Sequence, residues 1–95
     1  MTTKEANYLI NTVDSRHQSV QPLLRKLVAG EARPEEVDAF VETNSRYQTM
    51  KPLLRALAAG EKVSQEDVDN QVDSSHEPLK PLFLALAQGL QPDAA

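Results

Sequence analysis

The sequence contains no cysteine. A disulfide framework and a thiolate zinc site are both excluded, and the chain carries no mark of its redox compartment. Tryptophan is missing as well, and the aromatic residues number four: Tyr8, Phe40, Tyr47 and Phe83. Four scattered rings make no platform for stacking bases or sugars. Basic residues are in the minority, ten Lys and Arg against fourteen Asp and Glu, for a net charge of −4. Nucleic-acid binders show the opposite balance, so no nucleic-acid partner is expected. No apolar run approaches membrane-spanning length, and the opening residues MTTKEANYLI lack the basic start and apolar stretch of a signal peptide. We therefore expect no membrane partner and a cytoplasmic location.

What the chain does have is an internal repeat. PLLRKLVAGE at 22–31 returns as PLLRALAAGE at 52–61 and, altered, as PLFLALAQGL at 81–90. Aligned on Pro22, Pro52 and Pro81, the chain contains three units, 4–31, 34–61 and 63–90, that match one another without internal gaps. The first two units share twelve of 28 positions, from Glu5 and Glu35 to Glu31 and Glu61. Repeats near 30 residues indicate stacked helical elements, and about three are needed for stability. Helix punctuation recurs with them. Gly30, Gly60 and Gly89 follow apolar runs, where a left-handed residue ends a helix. Thr2 with Glu5 and Ser64 with Asp67 read as capping boxes, and Pro34 with Glu35 and Glu36 as a helix start. Nothing alternates with a period of two. The reading is one all-α domain over 1–90, with 91–95 as a short disordered tail.

The prolines set the choice of architecture. Alternate steps of three and four residues trace Ala6, Ile10, Val13, His17, Val20, Leu24 and Leu27 through the first unit, and the same offsets run through the other two. A stripe that keeps phase past the proline predicts three long helices, each bent there, in an up-down-up bundle. Each bend would cost about 3 kcal/mol. The alternative is six shorter helices as stacked αα-hairpin repeats, each proline opening a second helix and Ser19 and Thr49 serving as caps.

A polar run precedes each proline: DSRHQS at 14–19, NSRYQT at 44–49 and DSSHE at 73–77. The bundle reading brings His17, Tyr47 and His76 into one layer, with Asp14 and Asp73 three residues before the two histidines and on the same helix faces. Those five residues are the candidate small-ligand site, either as a His–Asp metal site or as a hydrogen-bonded polar layer. No metal or cofactor is assigned. Enzyme signatures are missing: no glycine-rich phosphate loop, no Gly-x-Ser-x-Gly elbow, no His-Glu-x-x-His. No catalytic residue is assigned, and no enzyme is expected.

Charge and apolar content shift along the chain. Residues 1–33 carry +2, 34–62 carry −1 and 63–95 carry −5, which suits packing of the ends or head-to-tail association. The third unit has Leu84 where its siblings have Arg25 and Arg55, and Leu90 where they have Glu31 and Glu61. Terminal repeats usually become more polar. Phe83, Leu84 and Leu90 are therefore the candidate interface. The functional expectation is a small acidic helical interaction module that binds itself or a larger protein. The alternative is a ligand or metal binder using the polar layer.

Overall fold

The structure is a computed structural model that describes residues 1–13, 15–72 and 74–91. It is all-helical. Six α-helices, α1 (Thr3–Thr12), α2 (Gln21–Ala29), α3 (Pro34–Thr43), α4 (Lys51–Ala58), α5 (Gln65–Gln71) and α6 (Lys80–Gln88), are separated in pairs by three 3₁₀ segments, Ser15–Val20, Ser45–Met50 and Ser74–Leu79. Local chemistry sets most boundaries. Thr2 and Ser64 cap α1 and α5 in complete capping boxes with Glu5 and Asp67, each satisfying two backbone donors that the helix itself cannot. Pro34 opens α3, followed by two glutamates in the first turn, where the helix dipole favours them. Gly30 ends α2 at φ +74°, a left-handed conformation that costs a residue with a Cβ about 1 kcal/mol.

The six-helix alternative describes the molecule, and the three proline-bent helices do not. At each point where a long helix would have to continue, the backbone leaves helical space. Val13 is extended at ψ 150°, Asn44 sits at φ −133° and ψ 71°, and Val72 at ψ 108°. The chain then turns through a 3₁₀ segment and folds back, so that α1 packs on α2, α3 on α4 and α5 on α6. Gln21 at the start of α2 donates through Nε2 to the carbonyl of Ile10, 2.8 Å away, tying the reversal in the first pair. Pro22, Pro52 and Pro81 each fall in the first two positions of the second helix. The amide that proline lacks is one that has no partner in the first turn anyway, so no bend results. Ser19 and Thr49 do not cap: Val20 and Met50 hold the cap positions, and neither makes a side-chain cap bond.

Burial shows why stripe continuity was a poor guide. It holds in the first unit, where Ala6, Ile10, His17, Val20, Leu24 and Leu27 are all buried. In the second unit the buried face of α3 is Val37 and Val41, with Thr43 exposed, and in the third it is Val68 and Val72, with Asp69 exposed. Core positions of the first helices are thus 31 residues apart (Ala6, Val37, Val68 and Ile10, Val41, Val72), while those of the second helices follow the prolines at 30 and 29 (Leu24, Leu54, Phe83). From the last core residue of the first helix to the central aromatic, the stretch shortens through the chain, from Ile10–His17 to Val41–Tyr47 to Val72–His76.

One core cluster joins all three units, including Leu24, Leu54 and Phe83, each fully buried. Full burial of such a side chain contributes about 1.5–3 kcal/mol. Between pairs, α2 packs on α3 and α4 on α5, while α6 and α1 make less contact than either. The ends meet by backbone instead. Thr2 and Gln91 form a parallel bridge, with the Gln91 amide donating to the Met1 carbonyl at 3.1 Å. Gln91, the first residue of the expected tail, is therefore held at the opening of α1, and 92–95 lie outside the described residues.

Candidate functional site

His17, Tyr47 and His76 each occupy the third position of a 3₁₀ segment. The turns aim all three inward, and their exposures are 1%, 0% and 2%. Their rings meet. Tyr47 stacks on His76 at 4.7 Å between centroids with 27° between planes, His17 tilts toward His76 at 5.7 Å, and His17 meets Tyr47 edge-on at 6.4 Å. Phe40 adds a fourth ring, 5.2 Å from Tyr47. The polar tips are engaged within the chain. His17 Nδ1 and the Tyr47 hydroxyl are 3.2 Å apart, and His76 Nε2 lies 2.9 Å from the Arg46 carbonyl. A carbonyl only accepts, so His76 carries a hydrogen on Nε2. Each of these hydrogen bonds offsets the cost of burying the atoms that make it.

Of the five candidate ligand residues, the structure brings together His17, Tyr47 and His76, while Asp14 and Asp73 lie outside the described residues. Among the described residues, no group of three or more His, Asp or Glu is placed to hold a metal ion. The three rings pack against one another. Chemically, the cluster cross-links the three turns: each ring comes from a different unit, and the two hydrogen bonds just described each join residues 30 apart in sequence.

The candidate interface needs correction at Phe83. It has no exposed surface and belongs to the core, while Leu84 and Leu90 are half-buried against that core. Among the described residues the exposed large hydrophobic is Tyr8, at 72%. It stands beside an open, mostly apolar groove of about 490 Å³, lined by Met1, Lys4, Glu5, Tyr8, Leu9 and Thr12. The sequence held a signal for it. Ala6 and Ile10 define the buried stripe of α1, and Met1 and Tyr8 fall well off that stripe at 100° per residue.

A second groove of about 440 Å³, lined by Asp38, Val41, Glu42, Ser45, Gln48 and Lys51, runs along the second unit. Its carboxylate is already committed: Asp38 bonds Arg55 and lies 3.7 Å from Lys51. The Arg55 guanidinium holds the Asp38 carboxyl below its ordinary value, and Asp38 in turn raises Arg55. Between α2 and α3, Lys26 pairs with Glu36 and lowers its carboxyl in the same way. Among the described residues, no helix is long and apolar enough to cross a membrane. The chain matches no protein-family model, no curated protein and no solved structure.

Proposed function

We propose that this chain is a small acidic, non-enzymatic module that acts by binding a protein surface, its own or a larger partner's, in the manner of a regulator, inhibitor or immunity-type protein of the cytoplasm. Its architecture on this reading is three repeated αα-hairpins cross-linked at their turns by His17, Tyr47 and His76. The observation that carries the proposal is Tyr8, 72% exposed beside the apolar groove on α1. A large aromatic held in water next to an apolar groove costs free energy that a bound partner recovers, and tyrosine is enriched at the centres of such contacts. The mid-chain layer supports the ligand-binding alternative less well, because its rings pack on one another.

Native mass spectrometry of the chain purified from the cell that makes it, beside a Tyr8→Lys variant, tests the reading. A stoichiometric protein complex that the variant fails to form supports it. Recovery of both proteins as bare monomers would sink it.

A further inference from the structure

The three hairpins meet at three seams, and the chain itself closes two of them. Residues 30–33 carry α2 into α3, and residues 59–64 carry α4 into α5. No connector joins α6 to α1, and these two helices make less contact than the other two pairs. That seam is closed at the end away from the 3₁₀ turns by the Gln91 amide, which donates to the Met1 carbonyl, and by the bridge between Thr2 and Gln91. At the turn end, His17 of the first unit and His76 of the third lie 5.7 Å apart between ring centroids. The third unit is altered where its end meets α1. In the first two units the glycine is left-handed, at φ +74°. The glutamate after it donates its amide back to the helix, Glu31 to the Lys26 carbonyl and Glu61 to that of Ala56. Gly89 has φ +92° with ψ 129°, close to backbone space that only glycine enters readily. There the chain runs on extended instead of curling back. Leu90, where the siblings have those exposed glutamates, is half-buried against the core, and so is Met1. Gly89, Leu90 and Gln91 thus lay the end of the third unit on the opening of α1.

We infer that Met1 and Thr2 with Gly89–Gln91 form a releasable clasp, and that when it lets go α1 and α6 part at this seam, hinged on the ring cluster, while each hairpin stays folded. Contact is greater within every hairpin than between hairpins, so the hairpin is the unit that moves, in the manner of a sub-global opening. Ala85 of α6 stands at the position of Lys26, whose partner Glu36 is on the next hairpin, and Ala85 is buried. By that equivalence it faces the seam. The opening bares apolar surface at Ala85 and Leu90 on one side and at Ala6, fully buried in the closed form, on the other. This conformational device goes beyond the protein-binding reading, and its test needs no partner.

Amide hydrogen exchange followed by NMR tests the clasp at three equivalent positions. The amides of Ala6, Val37 and Val68 each donate to the carbonyl that opens their helix, those of Thr2, Arg33 and Ser64. Corrected for intrinsic rates, Ala6 should exchange fastest of the three in the wild type. Gly89→Ala strains the clasp, so Ala6 and Gln91 should lose about 10-fold or more in protection while Val37 and Val68 keep theirs. Leu90→Glu restores the siblings' residue and should act in the same direction; it replaces Gly89→Ala if that variant does not fold. The second readout is a thiol on α6, free of interference because the chain has no cysteine. Labelling of Ala85→Cys by a thiol reagent should speed up in step when either clasp substitution is added. If Ala6 loses protection and labelling does not change, only the start of α1 frays, and the inference falls. An equal loss at Ala6, Val37 and Val68 would mean that the whole fold loosens, and would overturn it too. No change at either probe would show that the clasp does not hold the seam.

Discussion

Removing the Tyr47 hydroxyl is the most direct probe of the central cluster. Tyr47→Phe keeps the ring, its stacking on His76 and nearly all its volume, so no cavity forms and no apolar burial is lost. What goes is the contact with His17 Nδ1 at 3.2 Å, in a site where both residues are at most 1% exposed. A typical intramolecular hydrogen bond is worth about 0.5–1.5 kcal/mol net, and a buried group deprived of its partner costs about 1–3 kcal/mol. A loss of roughly 1–2 kcal/mol follows, a large share of the ~5–15 kcal/mol that a domain has in total. At about 4–8 °C per kcal/mol for a chain of this size, the melting point should fall by roughly 5–15 °C. Urea denaturation of wild type, Tyr47→Phe, His17→Leu and the double variant then isolates the pair. The double variant should lose less than the sum of the singles, with a coupling of about 1 kcal/mol. Tyr8→Phe, on an exposed ring, is the control and should stay within ~0.5 kcal/mol of wild type. If Tyr47→Phe melts with or above wild type, the hydroxyl contributes nothing and the cross-linking role of the cluster is wrong.

Three further outcomes follow from the helices and their ion pairs. Pro22→Ala and Pro52→Ala should be neutral or mildly destabilising, by no more than about 1 kcal/mol, because each proline stiffens the unfolded chain and interrupts no helical bond; a clear gain in helicity and stability by circular dichroism would restore the bent-helix architecture. The depressed Asp38 carboxyl contributes stability that is present above the ordinary aspartate range and is lost as pH falls through its folded value; Arg55→Leu should return the Asp38 titration, followed by NMR, toward the ordinary value, and an unchanged curve would refute the pairing. Leu84→Arg should leave the fold intact. It restores the residue type that bonds Asn11 from Arg25 and Asp38 from Arg55, and Asp69, the counterpart of Asp38 at the 31-residue spacing, already holds Lys80 at 2.9 Å. A double-mutant cycle with Asp69→Asn should give a coupling of about 0.2–1 kcal/mol, and a variant that unfolds would show that Leu84 is needed in the core.

The helical class, both capping boxes, the helix ends at Gly30 and Gly60 and the helix start at Pro34 were legible, because each is a local matter between residues close in sequence. So was the convergence of His17, Tyr47 and His76, though through the wrong architecture. Equal depth in equal units brings them together whether the units are bent helices or hairpins. The reversal before each proline was not legible, because the alignment is anchored on identities such as Pro-Leu-Leu-Arg and Ser-Arg-x-Gln. Those lie in the turns and second helices. The first helices drift against that frame by one residue in the second unit and by three in the third, and the change is absorbed in the short stretch before each 3₁₀ segment. An ungapped alignment therefore matches Ile10 with Phe40 and Asp69, while the core matches it with Val41 and Val72.

The burial of Phe83, one of the candidate interface residues, has a different cause. An end unit must offer an exposed flank only when repeats stack in an open row, and there an apolar end helix is an anomaly that asks for a partner. Here the ends of the chain approach each other, with Gln91 bonded to Met1 and paired with Thr2. The apolar character of α6 is then largely spent within the chain. Phe83 and Ala85 are buried, and Leu84, Leu86, Ala87 and Leu90 lie half-buried against the core. Closure moves the unmet demand to the other side of the same junction. α1 meets α6 with less contact than α3 makes with α2 or α5 with α4, and on the outer face of α1 Tyr8 stands in solvent. A flank shortage that the repeat pattern assigns to the last helix is thereby carried by the first.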